Sequence, residues 1–197
     1  MFKEILTGIR STAILWLLTA IIYPVFFLLV GQVIFPSQAN GSLITNAQGQ
    51  IVGSALIGQT FEGATYFRSR PSVVAYSEAE DVRTTGTSGA SNLAPSNPKL
   101  LGRIKITATV LQQAGIAPAA DLLYASGSGL DPHISPAAAA AQVEAVAAAR
   151  GTDTKAVTRL VQEHTQGRFL GIFGEPGVNI TTLNVALDEM ERNQKAS

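Results

Sequence analysis

No charged residue lies between Arg10 and Glu62 of this 197-residue chain. Inside that gap, Ser11 to Phe35 (STAILWLLTAIIYPVFFLLVGQVIF) is a run of 25 residues whose only strongly polar side chain is Gln32. A bilayer core of ~30 Å is crossed by roughly 20 helical residues, so the run is long enough to span with some tilt. Pro24 removes a backbone donor and crowds the Ala20 carbonyl, which predicts a kink of the kind membrane helices tolerate. The alternative is a cleaved leader, with Ser37-Gln38-Ala39 as a small-x-small cleavage site. A leader's apolar region is typically ~7–15 residues; this run exceeds that, and the reading adopted is a retained transmembrane helix over 11–35. Lys3 and Arg10 precede it, and the next basic residue is Arg68. Basic flanks stay cytoplasmic, so residues 1–10 are expected inside the cell and everything after Phe35 outside. One spanning helix encloses no transport path, so a role in transport requires partners.

Ser37 to Gln50 is uncharged and rich in Ser, Asn, Gln and Gly, so residues 36–50 read as a juxtamembrane tether and 51–197 as one extracytoplasmic domain. Once Lys3, Arg10 and Glu4 are set aside, 12 basic and 13 acidic residues remain beyond the helix. That balance removes the electrostatic case for a nucleic-acid binder. The chain has no cysteine and two histidines, which excludes disulfides, thiolate-ligated metals and a three-histidine site.

Along the domain, strands and helices alternate. Gln50 to Ile57 is a short strand candidate, and Glu78 to Pro98 is a long polar loop. Asn97 caps a helix with Pro98 in its first turn; Leu101, Ile104, Ala108 and Leu111 form the expected stripe, and Gly115 ends it. Leu122 to Ala125 is a buried-strand candidate. Ser135, followed by Pro136, caps one helix expected to run through the alanines to about Arg150, with Gln142 as a solvated polar break. Thr152 or Asp153 caps another, on which Val157, Leu160, Val161 and His164 share a face. A tight loop over Gly171 to Gly177, a strand over Val178 to Thr181 and a helix over Leu183 to Arg192 complete a mixed α/β (α+β) domain on a single N-terminal transmembrane helix.

The catalytic signatures of common hydrolases are absent. No Gly-Lys pair exists for a Walker A loop, and the Asp-Lys-Thr-Gly phosphorylation motif and His-Glu-x-x-His are missing. Gly86-Thr87-Ser88-Gly89-Ala90 only grazes the Gly-x-Ser-x-Gly elbow. The densest polar cluster is Ser126-Gly127-Ser128-Gly129-Leu130-Asp131-Pro132-His133-Ile134-Ser135. Three readings stand beside one another. A Ser/Asp/His triad is one, although triads usually converge from separated positions. Anion binding by backbone N–H groups and the following helix start is another. The third is a loop whose side chains satisfy its own backbone while glycines take φ > 0. Elsewhere, His164 reads as a hydrogen-bonded, partly buried ring. Arg68 and Arg70 read as fold-stabilising partners of carboxylates, or a substrate clamp. Glu175 reads as a turn-fixing residue. Asn40-Gly41-Ser42 and Asn179-Ile180-Thr181 fit the glycosylation pattern.

Several segments together carry a resemblance: Gly53 to Gln59 (GSALIGQ), Tyr66 to Ser72 (YFRSRPS), Gly89 to Leu93 (GASNL), Ala125 to Pro136 (ASGSGLDPHISP), His164-Thr165 with Arg168, Gly174-Glu175-Pro176 with Asn179, and Leu183 to Asp188 (LNVALD). Over its whole length the chain resembles the KdpC family, the C subunits of Kdp potassium-transporting P-type ATPases. Gly89-Ala90-Ser91 departs from the family's more usual Gly-Gly-Ser, in a loop. The resemblance implies a non-catalytic subunit of a bacterial inner-membrane potassium importer, N-terminus cytoplasmic and domain periplasmic. Its partners would be a channel-like potassium-translocating subunit and a P-type ATPase subunit. The family's C subunit is held to stabilise the assembly and to act as a catalytic chaperone that raises ATP affinity. No cofactor of its own is implied; ATP is a contact through the complex, with Gln142 as the nucleotide-binding candidate. ATP is cytoplasmic and the expected domain lies outside, which ranks structural support and shaping of the potassium entrance above direct nucleotide contact. A membrane-anchored binding or hydrolytic domain of the envelope, using the Ser126 to Ser135 loop, is the alternative.

Single cysteines placed in this cysteine-free chain test the orientation. Ser42→Cys and Ser197→Cys should react with a membrane-impermeant thiol reagent added to intact cells, and Ser11→Cys should not. The reverse pattern would invert the assigned topology.

Overall fold

The computed structural model describes residues 1–46, 48–78 and 86–196, so part of the expected 78–98 loop lies outside the described residues. Packing divides the chain into two units at Leu43/Ile44. The first is dominated by a continuous apolar helix, Phe2–Ile34. It comprises α1 (Phe2–Leu17), a π-helical turn (Leu18–Ile22) and α2 (Tyr23–Ile34). No residue of it is buried within the chain. Apolar surface on that scale is costly in water and matches what a bilayer covers. Immediately before Pro24, the Tyr23 N–H donates to the Leu18 carbonyl, five residues back. A proline ring crowds the carbonyl four residues earlier, and the wide turn inserts one residue where that clash would fall. The chain leaves the helix at Phe35, and Pro36 starts the short α3 (Pro36–Ala39).

The second unit is α+β. β1 (Leu43–Thr45) and β2 (Ile51–Ser54) form a two-stranded sheet, so residues 36–50, expected as a tether, hold α3 and β1. Then follow α4 (Pro98–Gln113), α5 (Ala120–Leu123), β3 (His133–Ile134), α6 (Pro136–Ala140), α7 (Val143–Arg150), α8 (Thr154–Glu163), β4 (Thr165–Gln166), β5 (Gly177–Asn179) and α9 (Ile180–Ala196). β5 is central in an antiparallel sheet of order β3-β5-β4, with Ile134 and Thr165 both opposite Val178. The expected caps are made: Asn97 accepts from the Lys99 N–H, Ser135 from the Ala138 N–H and Asp153 from the Lys155 N–H.

Four expectations are corrected. On α4 the buried stripe starts at Leu100, not Leu101: Leu100, Ile104, Ala108 and Leu111 are spaced along one face, and Leu101 is 51 % exposed. Leu122 to Ala125 is not a strand, because the Leu122 and Tyr124 N–H groups bond the Ala119 and Ala120 carbonyls in a helical turn; four apolar residues carry no period that separates the two. The alanine-rich helix is broken at Ala141–Gln142 into α6 and α7, and Gln142 is fully buried instead of solvated. The strand expected to reach Thr181 stops at Asn179, and α9 starts at Ile180.

The core lies on α9. Ile180, Leu183, Asn184 and Leu187 follow the i, i+3, i+4, i+7 pattern of a buried helical face, and all four are sealed from solvent. They belong with Phe67, Ala138, Ala139, Val146, Val157 and Val178 to one buried assembly, in which Asn184 is a polar interloper. Its reason is the segment from Ala55 to Tyr76, which crosses the core with almost no regular structure. Buried backbone groups need partners, and side chains supply them. Asn184 accepts the Phe67 N–H at 2.9 Å and donates to the Phe67 carbonyl at 3.0 Å. Gln142 accepts the Arg68 N–H at 2.8 Å and donates to the Arg68 carbonyl at 3.2 Å. Consecutive residues of an extended chain turn their backbone groups to opposite sides, and the two carboxamides meet them from α9 and from the α6–α7 joint. Asn179 and Thr181 similarly donate to the Ala55 and Ile57 carbonyls. Arg150, whose side chain is 2 % exposed, donates to the Thr65 carbonyl, pairs with Asp188 and Glu191 at 2.8 and 2.9 Å, and lies over the Tyr66 ring.

Asn184→Leu keeps the volume but orphans both polar groups of Phe67. Each orphan costs ~1–3 kcal/mol, so the full-length chain in detergent should melt roughly 5 °C lower or more, followed by circular dichroism. Leu101→Ala, on an exposed site, should shift stability by less than ~0.5 kcal/mol.

Candidate functional site

The Ser126 to Ser135 loop joins α5 to α6 and spends its side chains on itself. The Ser126 hydroxyl accepts the Gly129 N–H at 3.1 Å, and the Ser128 hydroxyl accepts the Leu130 N–H at 3.1 Å. Asp131 accepts the His133 backbone N–H and lies 3.2 Å from His133 Nδ1. The hydrogen bond from His133, ahead of the opposing effect of burial, holds the Asp131 carboxyl below the usual carboxylate range. Arg70 sits between Asp131 and Asp121, at 3.8 and 3.9 Å. Asp121 in turn accepts the Ser135 N–H.

The loop also gathers distant chain. Gly129 takes φ +71°, and a Cβ built there would lie 2.7 Å from the Gly89 carbonyl oxygen and 2.5 Å from Val74. Only glycine fits both the conformation and the space; Gly127, by contrast, has neither a positive φ nor a close neighbour. The Ser128 carbonyl accepts from the Gly89 N–H and the Ser88 hydroxyl, and the Ser72 hydroxyl donates to the Gly129 carbonyl. Ser72 Oγ also accepts the Val74 and Tyr76 N–H groups, bracing Ala75, Tyr76 and Ser77, three consecutive residues at positive φ. Tyr76 is buried against Gly58, where a Cβ would meet its ring at 2.4 Å, and donates to the Arg70 carbonyl at 2.6 Å. Burial pushes the Tyr76 hydroxyl up to about 12.

This geometry bears on the three chemical readings of the loop. Ser126 engages Gly129 and Ser128, and no hydrogen bond links it to His133 among the described residues. His133 Nε2 has no hydrogen-bond partner among the described residues, and Nδ1 faces Asp131 and not Ser126. At the start of α6 the Ala138 and Ala139 N–H groups are already taken by Ser135, and Asp121 and Asp131 are carboxylates, which anions avoid. The loop's polar groups are committed to holding Gly89, Ser72 and the β3 register in place.

The remaining candidates are placed as follows. Gln142 is sealed, with its carboxamide committed to Arg68 and Ala138. The Arg68 side chain lines a groove of about 560 Å³ with Arg70, Ser72, Tyr76 and Leu122. His164 Nδ1 lies 3.0 Å from the Thr182 hydroxyl, and burial lowers its pKa below the ordinary histidine value. Glu175 holds Arg168 through both carboxylate oxygens at 2.8 and 2.9 Å. Asn179 is buried and bonded to Ala55, which leaves no room for a glycan. Among the described residues no cluster of three or more His, Asp or Glu is arranged for a metal. The sequence reading passed over Asn184 and Arg150. The one available signal was an asparagine in phase with the apolar face of a helix.

A family model described as "K+-transporting ATPase, c chain" (KdpC) matches residues 5–189. The chain belongs to the KdpC family. The Potassium-transporting ATPase KdpC subunit of Synechocystis sp. is 62 % identical, covering 95 % of this chain and 99 % of its own length. The subunit of the same name in Anabaena sp. is 54 % identical over 99 % and 98 %, and that in Geobacter sulfurreducens 45 % identical over 95 % and 98 %. Asn184 and Gln142, the Ser–Gly loop and most of the apolar helix all lie inside the KdpC match.

Gly129→Val should cost ~1–3 kcal/mol from the backbone conformation alone, with the Gly89 clash added. The expected result is a lower melting temperature of the full-length chain, while Gly127→Ala, in open space, leaves it within error.

Proposed function

We propose that this chain is the accessory subunit of a high-affinity, ATP-driven potassium importer. Non-catalytic itself, it stabilises the assembled pump and acts as a catalytic chaperone, raising the affinity of the P-type subunit for ATP. The observation that carries this reading is the KdpC match over residues 5–189. It is supported by what the chain contains: among the described residues one helix long and apolar enough to cross a membrane, in the sequence no phosphorylation or Walker motif, and a Ser–Gly loop whose side chains bond its own backbone. Relatives are named as subunits of potassium-transporting ATPases. The partners in this proposal are a channel-like potassium-translocating subunit and the P-type ATPase subunit, in the bacterial inner membrane. The domain is periplasmic and the N-terminus cytoplasmic.

That orientation puts ATP across the membrane from the domain. The proposal therefore gives Gln142 an indirect part: it holds Arg68 and the segment running to Ser72, and through them the surface available to partners. ATP needs no binding site on this chain for the chaperone effect, because a subunit that favours the nucleotide-competent state of its partner raises apparent affinity by linkage.

Co-expression with the other pump subunits tests the assignment. The chain should co-purify in detergent and raise the pump's apparent ATP affinity; a chain recovered alone would overturn it. Gln142→Ala should reduce the yield of assembled pump, through orphaned Arg68 backbone groups at ~1–3 kcal/mol each, with the ATP dependence of the assembled fraction unchanged. Full assembly with strongly weakened ATP affinity would instead establish a direct nucleotide contact.

A further inference from the structure

The connection between β4 and β5 ends in an apolar knob. Phe169, Leu170, Ile172 and Phe173 are 71, 74, 72 and 62 % exposed. No charged residue lies between Arg168 and Glu175, and those two close the base of the knob as a bidentate ion pair. Such a cluster at the tip of a short connection is not core material, since none of the four is among the buried residues. The tip is also internally bonded. Phe169 and Phe173 exchange N–H to carbonyl bonds at 2.8 and 3.0 Å, and the Gly171 and Ile172 N–H groups bond the Arg168 and Phe169 carbonyls. Backbone donors satisfied within the segment, as those of Phe169, Gly171, Ile172 and Phe173 are, lower the cost of entering a water-poor phase.

We propose that this knob inserts into the membrane interface as a second, non-spanning contact, its four apolar side chains among the upper acyl chains and the Arg168–Glu175 pair at headgroup level. Two observations favour lipid over an apolar cleft on another protein. The exposed residues occupy consecutive positions on both limbs of the tip, so the knob presents apolar surface all round, which suits a fluid phase better than a one-sided protein seat. A bilayer is also held nearby: nine residues separate Ile34, the end of the apolar helix, from Ile44, the first residue of the domain. They reach at most roughly 30 Å, so the tethered domain meets the membrane surface at high effective concentration. The inference rests on Phe2–Ile34 crossing a membrane and not on the pump assignment.

The test uses the full chain reconstituted in phosphatidylcholine vesicles containing brominated lipids. Trp16, the only tryptophan, lies in the apolar helix and reports on the anchor: its quenching by deep bromines verifies the crossing independently. In a Trp16→Phe background, Phe173→Trp should emit blue-shifted, lose at least half its intensity to lipids brominated near the headgroup, and be protected from acrylamide. Ile106→Trp, on an exposed position of α4, should behave as a water-exposed reporter. Emission from Phe173→Trp like that of Ile106→Trp would overturn the proposal. So would a blue shift that appears only when the other pump subunits are present and is insensitive to bromolipid, since that places the knob against a partner protein.

Discussion

The domain depends on two buried carboxamides. Asn184 and Gln142 each hold both polar groups of one backbone residue, Phe67 and Arg68, and so do for an unpaired stretch of chain what a neighbouring strand would do. The constraint behind them is that a peptide group cannot be buried unpaired. The segment from Ala55 to Tyr76 has to cross the face of α9 to bring Phe67 into the core, yet among the described residues the second unit offers a two-stranded and a three-stranded sheet, neither of which extends to it. Side chains are the remaining source of partners, and their placement dictates other features. The alanine-rich helix breaks where it does because Gln142 faces inward towards Arg68. α9 carries an asparagine in its apolar stripe because Phe67 lies beneath it.

The same logic extends through the Ser–Gly loop. With no cysteine to cross-link the domain, distant loops are held by hydrogen bonds to one hub: Ser128 holds Gly89 and Ser88, Gly129 accepts from Ser72, and Ser72 braces the three left-handed residues 75–77. Three consecutive positive-φ residues without glycine are strained. The buried Tyr76, its ring against Gly58 and its hydroxyl on Arg70, over-determines that turn. A loop that resembles a catalytic cluster in composition is thus an organising centre for surfaces formed by residues 58–76 and 86–93.

The long apolar helix and the helices with strong caps were legible in the sequence because their causes are local. A charge-free run of 25 residues, a proline, an asparagine before Pro98, a serine before Pro136 and an aspartate before Thr154 each act on their own few residues. The hydrogen bonds from the Ser–Gly loop's side chains to its own backbone were also within reach, since short polar side chains beside glycine bond in this way. Family membership was legible for a different reason, as the ASGSGLDPHISP run is long enough to be specific.

Three things belonged to tertiary structure alone. Whether Leu122 sat in a strand or a helical turn was decided by its place beneath α4 and α6, because four residues carry no period. Whether Gln142 faced water or the core was decided by Arg68, 74 residues earlier in the chain. Whether the apolar residues around Gly171 were buried was decided by the absence of any described element over the β4–β5 tip, which leaves them projecting. Local propensity sets which elements form and where they start. Long-range pairing of buried peptide groups sets how they meet, and no short window of sequence contains both halves of such a pair.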